Sequence, residues 1–334
     1  MRFAEVTDRL AGLGGARWAL HAEARAMKAA GHAIIELTIG EPDVPTPPAL
    51  VEVAARSMAA GRTGYSSGRG EPALVRALAD RYSARRGRAI GIDQVMCFPG
   101  TQTALFAVMA TLAGPGDEVL MGDPAYATYD GVIAAAGATP VAVPLRPENG
   151  FRIAADDIAA RVTPRSRVIF LNTPHNPTGA VLARGDLAAI GAVARAHDLW
   201  ILCDEVYEEM VFAGASFASP LDDPALAERV VVVSSISKSH AAPGFRSGWC
   251  VGPAAFCARA LPLSETMLFG NQPFIADMTA AAVSAPSPVA AGMAARFAAR
   301  AALVRSRLHG VAGLAVSDPQ AGMFVLVDVR AVSA

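Results

Sequence analysis

Only two lysines occur in the chain, Lys28 and Lys238, beside 27 arginines (29 Lys+Arg minus two Lys). Lys238 falls within VVVVSSISKSHAAPGFRSGW (Val230–Trp249), just past an apolar run that reads as a buried strand. A primary amine can deprotonate and form an imine with an aldehyde, whereas a guanidinium stays protonated. A lysine kept at a strand end, in a chain that elsewhere prefers arginine, points to nucleophilic amine chemistry. A solvated loop lysine is the plain alternative.

Other predicted strand ends carry groups that suit the same chemistry. After VMCF comes Pro99-Gly100-Thr101-Gln102, a turn into a helix start whose free N–H groups and dipole suit a phosphate. After RVIFLNTP comes Asn176-Pro177-Thr178-Gly179. After WILC come Asp204 and Glu205, with Tyr207 a turn later. A carboxylate directly after a buried strand is costly unless a cation meets it. Ser235 precedes Lys238 and Arg246 follows it. Each feature alone has an ordinary reading as a β–α turn, a proline turn or a helix cap. Together they offer an anion cradle, a buried carboxylate, polar donors and one amine. That set fits pyridoxal phosphate, whose phosphate needs a helix start and a cation, whose ring nitrogen needs a carboxylate and whose aldehyde needs a lysine.

The elements that position these groups alternate along the chain. An N-terminal helical segment is followed by a predicted strand, Ile34–Ile39, which breaks into a proline-rich loop. Helices are expected from about Pro48 to Ala60 and Pro72 to Arg85, with the glycine-rich loop Gly61–Glu71, holding Tyr65, between them. VMCF, EVLMGDP, TPVAVPL, RVIFLNTP, WILCDEVY, VVVVSSIS and GWCVGP then read as strands. Helices are expected from Thr101, near Tyr126–Ala136 and over Leu187–His197. Near-continuous apolar strands separated by helices predict an α/β fold with a mainly parallel sheet covered on both faces. In such sheets ligands gather at the carboxyl ends of the strands. From about Pro288 an Ala/Arg-rich helix is expected, then a strand over Met323–Val329.

Composition narrows the function. A chain of 334 residues with 53% hydrophobic residues can bury a large core, in one large domain plus a smaller one. A net charge of −1 gives no electrostatic reason to expect nucleic acid or an anionic membrane. The four cysteines show no CxxC spacing, no metal-ligand pattern stands out, and buried thiols of this kind suit a reducing cytosol. No apolar run reaches the roughly 18 residues of a membrane span, and MRFAEVTDRL lacks a signal-peptide core. A cytoplasmic location is expected.

Thr173-Pro-His-Asn-Pro-Thr-Gly179, Asp204-Glu-Val-Tyr207 and Ser235-x-Ser-Lys238 with Arg246 downstream resemble the fold-type I, class I/II aminotransferases in order and spacing. GEPD at Gly40–Asp43 and PGDEV at Pro115–Val119 match as well. The resemblance covers essentially the whole chain. It implies a seven-stranded, mainly parallel sheet sandwiched by helices, and a smaller α/β domain built from both termini. The expected divisions are 1–45 for the N-terminal arm and part of the small domain, 46–285 for the large domain and 286–334 for the rest of the small one.

Roles follow from the resemblance residue by residue. Lys238 is implied to hold the cofactor's aldehyde and to shuttle the proton at the substrate α-carbon. Asp204 is implied to pair with the ring nitrogen, and Asn176 and Tyr207 to donate to the phenolic oxygen. Gly100, Thr101, Gln102, Ser235 and Arg246 are implied to hold the phosphate, with Tyr126 stacked on the ring. Tyr65 is implied to reach the phosphate of the partner subunit in a homodimer. Gly40, with Asn176, is implied to lie beside the substrate carboxylate. His240 is given no role and is expected to be a half-exposed turn residue. SISKSHAAPGFRSGW, the HNPTG form with His175, MLFGNQPFIAD and AGMFVLVDVR are similar, more narrowly, to bacterial arginine:pyruvate transaminases. That likeness implies an amino donor such as arginine and a 2-oxo acid acceptor such as pyruvate.

One departure is expected to matter. The family continues past the Met323–Val329 strand with the arginine that grips the substrate carboxylate, and Arg330 comes too early for that role. The chain is therefore expected to be a fragment or the product of a shortened reading frame. Two other functions fit the same residues. One is a pyridoxal-phosphate C–S lyase on the same fold; the other is a non-catalytic ligand-sensing domain of aminotransferase type.

Overall fold

The computed structural model describes residues 1–13 and 15–332, with the side chains of 15–17 left aside. Helices α1 (Glu5–Leu10), α2 (Gly15–Ala29), α3 (Pro48–Ala59) and α4 (Pro72–Arg86) come first. Then β1 (Val95–Phe98), α5 (Thr101–Leu112), β2 (Glu118–Asp123), α6 (Tyr129–Ala136) and β3 (Thr139–Pro144) alternate. They are followed by α7 (Ala155–Ala159), β4 (Ser166–Asn172), α8 (Arg184–Ala196), β5 (Trp200–Asp204), β6 (Val230–Ser235) and α9 (Ile236–Ser239). The chain continues through β7 (Gly248–Val251), α10 (Ala254–Met267), α11 (Pro273–Val283), α12 (Ala290–Leu308), β8 (Ala315–Val316) and β9 (Val327–Asp328).

β1 to β7 form one sheet in the order β1-β7-β6-β5-β4-β2-β3. Only β7 runs against its neighbours, pairing antiparallel with both β1 and β6. The strands read as continuous apolar runs because both faces are covered. Val95, Cys97, Ile169, Leu171, Ile201, Cys203, Val230 and Val232 pack on the face bearing α3, α4, α8 and α11. Their alternates Met96, Phe98, Val168, Phe170, Leu202, Val231 and Val233 pack on α5, α6 and α10. Period-2 alternation thus feeds two cores from one sheet. The carboxyl ends of β1, β4, β5 and β6 and the start of β7 meet at one edge.

Segments outside the sheet are laced to one another and to this edge. Asp43 accepts Arg296 Nη2 at 3.0 Å and pairs with Arg300 at 2.7 Å. The Gln320 N–H donates to the Gly179 carbonyl at 2.8 Å, and the Gly322 N–H to the Met210 carbonyl at 3.0 Å.

Four local expectations need correction. Ile34–Ile39 forms no strand; its backbone finds no ladder partner, and Ile35 and Leu37 are largely exposed. Met323–Val329 contributes only the two residues of β9, which pair with β8. Met323 and Phe324 instead turn into a cluster with Val206, Tyr207 and Met210, so side-chain packing takes them out of line with a ladder. The helix expected near Tyr126 begins at Tyr129. His240 is buried rather than half-exposed, its Nε2 lying 3.2 Å from the Ala282 carbonyl. Among the described residues, no helix is long and apolar enough to cross a membrane.

Candidate active site

Lys238 lies on α9, a single helical turn that starts where β6 ends. Ser235 caps this turn, its hydroxyl accepting the Ser237 N–H at 3.2 Å. Downstream, Ala241 and Arg246 hold left-handed backbone at φ 50 and 51. Such conformations cost non-glycine residues roughly 1–3 kcal/mol each and collect at functional sites. The half-buried Lys238 donates from Nζ to the Gly40 carbonyl at 2.7 Å. Burial presses its pKa below the usual ammonium value; Glu41 and Asp204 oppose that shift and Arg246 adds to it.

Asp204 closes β5 and is buried. Its Oδ2 accepts the Tyr129 hydroxyl at 2.9 Å and its Oδ1 the Val206 N–H at 3.1 Å. Desolvation nevertheless raises its pKa to about 6, against the Val206 and Tyr129 hydrogen bonds and the Lys238 charge. A carboxylate so placed favours a cationic partner. Its backbone carbonyl accepts Asn172 Nδ2 at 3.0 Å, while Asn172 Oδ1 accepts the Asn176 N–H at 2.8 Å. One side chain, Asn172, therefore ties the Asn176 turn to the end of β5.

Tyr207 is buried, and desolvation, then Asp204 and Tyr126, push its pKa up against a hydrogen bond from the Asn176 side chain. Tyr126 meets Tyr129 edge-on, with centroids 5.4 Å apart. Desolvation and Asp204 raise its hydroxyl pKa, while Thr128 and Arg246 lower it. Tyr126 thus sits within the electrostatic reach of both Asp204 and Arg246.

The turn before α5 is shaped by close approach. Gly100 has φ +90, and a Cβ there would lie 2.2 Å from Arg246 Nη2. A Cβ on Gly248 would lie 2.6 Å from Thr101 N. The Thr101 hydroxyl is buried without a hydrogen-bond partner among the described residues. A buried orphan of this kind calls for an acceptor or donor from outside the chain. Gln102 is otherwise engaged, its Oε1 accepting the Thr128 hydroxyl at 3.0 Å.

Lys238, Asp204, Tyr207, Asn176, Ser235, Arg246, Gly100, Thr101, Tyr126 and the Gly40 carbonyl thus gather at one sheet edge. Gln102 borders them. Tyr65 does not join them: it is 94% exposed, with its ring 5.7 Å from that of Phe269. The sequence reading missed Tyr129 and Asn172. Tyr129 was detectable as a second tyrosine three residues after Tyr126, and Asn172 as the polar residue ending an apolar strand. Among the described residues, no group of three or more His, Cys, Asp or Glu is placed to hold a metal ion.

The arrangement can bind a phosphate, hold a proton on a buried ring and present one amine. The family model for aminotransferase class I and II matches residues 32–334. The arginine–pyruvate transaminase AruH of Pseudomonas aeruginosa is 44% identical, over 99% of this chain and 84% of its own length. The aspartate/prephenate aminotransferase of Cereibacter sphaeroides is 33% identical, over 92% of this chain and 77% of its own. In structure, the aspartate aminotransferase from Rhizobium meliloti matches with a TM-score of 0.92 at 27% identity, over 99% of this chain and 83% of its own. That from Thermus thermophilus with maleate matches with a TM-score of 0.90 at 28% identity, over 98% and 85%. A family model that spans residues 32–334 and a relative 44% identical over 99% of the chain show that the chain belongs to the class I and II aminotransferases.

Proposed function

We propose that this aminotransferase carries pyridoxal 5'-phosphate on Lys238, acts as a homodimer, and moves the amino group of L-arginine to pyruvate. One observation carries the cofactor reading: at a single sheet edge, the Lys238 amine and the buried Asp204 carboxylate lie with a cradle of Gly100, Arg246 and the unpartnered Thr101 hydroxyl. The fit is chemical. An anion at the start of α5 would satisfy Thr101 and meet Arg246. When bound, the cofactor supplies the electron-withdrawing ring that lets a substrate α-carbon give up its proton.

The chain's own residues do the rest. Asp204, already inclined to share a proton, would hold one at the ring nitrogen. Asn176 and Tyr207 would donate to the phenolic oxygen. Tyr126 would cover a ring face and exclude water. Lys238, its amine made less basic by burial, would move the proton at the substrate α-carbon. Tyr65 would serve the partner subunit, and Gly40 would present its backbone to the substrate carboxylate. We place the large domain at 46–285, with 1–45 and 286–334 forming the smaller one. Both core clusters fall between Leu50 and Val283, and Asp43 bonds to Arg296 across the two ends. The likeness to the Pseudomonas aeruginosa enzyme supports arginine and pyruvate as substrates.

The test is a panel of L-amino acids, arginine among them, offered with pyruvate to chain loaded with the cofactor. Alanine should appear with a 2-oxo acid, fastest with arginine. Release of ammonia and pyruvate from a cysteine-type donor, without alanine from added pyruvate, would identify a lyase instead.

A further inference from the structure

Behind the site lies a cluster that the chemistry above does not use. α4 sends three arginines, Arg81, Arg85 and Arg86, against Glu205, Glu208 and Glu209, which bracket Tyr207 in sequence. Arg86 Nη2 lies 3.3 Å from Glu205 Oε2, and Nη1 lies 2.8 Å from Asp222 Oδ1. Arg85 reaches Glu208 at 2.9 Å and Glu209 at 3.2 Å, and Arg81 is bonded to Glu209 as well. The Arg86 guanidinium also lies over the Tyr82 ring, 5.7 Å from its centroid. Glu205 is fully buried, and its Oε1 takes the Ser219 hydroxyl.

Such a cluster is a poor way to gain stability. Replacing a buried ion pair by uncharged groups of similar volume is often neutral or favourable. Its position suggests another use. Asp204 and Tyr207 face the cofactor side while Glu205, Glu208 and Glu209 face α4, so one tight turn presents both sets. The turn is closed by the Glu208 N–H on the Glu205 carbonyl at 2.9 Å and the Met210 N–H on the Tyr207 carbonyl at 2.8 Å. Asp204 Oδ1 takes its hydrogen bond from the Val206 N–H, the peptide that Glu205 itself begins. Rotating that peptide therefore turns the Asp204 carboxylate.

We propose that the Arg86–Glu205 pair is a positioning device for the reaction, clamping the 204–207 turn from behind so that Asp204 and Tyr207 keep fixed directions at the cofactor. This rests on the pyridoxal phosphate reading. A clamp of this kind changes rate through geometry, where a misplacement of about 1 Å can cost on the order of 10²-fold.

The test uses the full chain with Glu205→Gln, Arg86→Met and the double variant. Four quantities are read: the dissociation constant for pyridoxal phosphate, the pH midpoint of the bound cofactor's visible band, kcat and KM with L-arginine and pyruvate, and the melting temperature. The first two do not depend on the donor. The double variant should melt closer to wild type than Arg86→Met alone, since Glu205 loses its charge together with its partner and Asp222 keeps Arg184 at 3.7 Å. Its band midpoint should nonetheless move and its kcat fall about tenfold or more, with KM little changed. A double variant that recovers melting temperature, band midpoint and kcat together overturns the proposal, because the pair is then only structural. Should the double variant fail to fold, Glu205→Gln decides, as it keeps a hydrogen-bonding group for Ser219. Folded Glu205→Gln protein with unchanged midpoint and kcat would equally overturn it. Wild-type chain that takes up no pyridoxal phosphate would defeat the cofactor reading itself, and the clamp with it.

Discussion

Asp204 has a pKa of about 6, raised from 3.8 by burial. Between those values the folded chain binds more protons than the unfolded one, so stability at this residue falls as pH rises from about 4 to about 6. Above that window the buried charge costs roughly 3 kcal/mol in full. Asp204→Asn removes the cost. In cofactor-free protein the variant should melt higher than wild type near neutral pH and show no gain at acidic pH. Activity should move the opposite way, because an amide cannot hold a proton on a ring nitrogen. A kcat loss on the order of 10²-fold, about 3 kcal/mol, is expected at similar KM. A variant that is less stable at both pH values, with unchanged kcat, would make Asp204 merely a turn-capping residue. Lys238 gives a complementary outcome. Borohydride should fix the cofactor on the peptide containing Lys238, and Lys238→Ala should lose all turnover while still taking up cofactor without a covalent bond. A label on Lys28 would refute the assignment.

At the scale of elements, the β1–α5 turn and the segment leading into β7 approach so closely that glycine is required at Gly100. Alanine there would place Cβ 2.2 Å from Arg246 Nη2, at a φ of +90 that L side chains rarely adopt. Gly100→Ala should therefore displace Arg246 and weaken pyridoxal phosphate binding by about tenfold or more, which an absorbance titration would measure. Unchanged affinity would place the phosphate elsewhere. These turns were legible in the sequence because the strands before them are buried on both faces, and continuous apolar runs locate strand ends well. Ile34–Ile39 shows the limit of that reasoning. Its apolar pattern resembles a strand, but a strand needs a neighbouring backbone, and sequence periodicity does not supply one. Met323–Val329 fails for a related reason, with Phe324 meeting Tyr207 edge-on at 5.5 Å instead of extending a ladder. The arginine–carboxylate cluster was equally hidden. Arg81, Arg85 and Arg86 share a helix end, yet their partners are more than 100 residues away in the chain, and only the fold brings them together.

At the scale of the whole molecule, the proposed role of Tyr65 at a phosphate requires a second chain. Its own chain does not bring it there: the ring is 94% exposed and rests against Phe269, itself 53% exposed and held at φ 50. Two aromatic rings presented together to solvent are more economically explained by a partner surface than by a monomer's needs. A twofold dimer would repeat the contact, so each loop would serve the other chain's site. A site's lysine and its tyrosine would then come from different chains, and defects in the two should complement. On the proposed reading, Tyr65→Phe should lower the phosphate affinity of the partner's site, and Lys238→Ala should abolish its own. Mixed under conditions that exchange subunits, a heterodimer regains one site with both wild-type groups, in roughly a quarter of all sites after random pairing. Transamination at limiting cofactor should then exceed the average of the parents by a margin that grows with the heterodimer fraction, measured by native mass spectrometry. If heterodimers form and activity stays at the average of the parents, Tyr65 serves no site across the interface, and its exposure needs another cause.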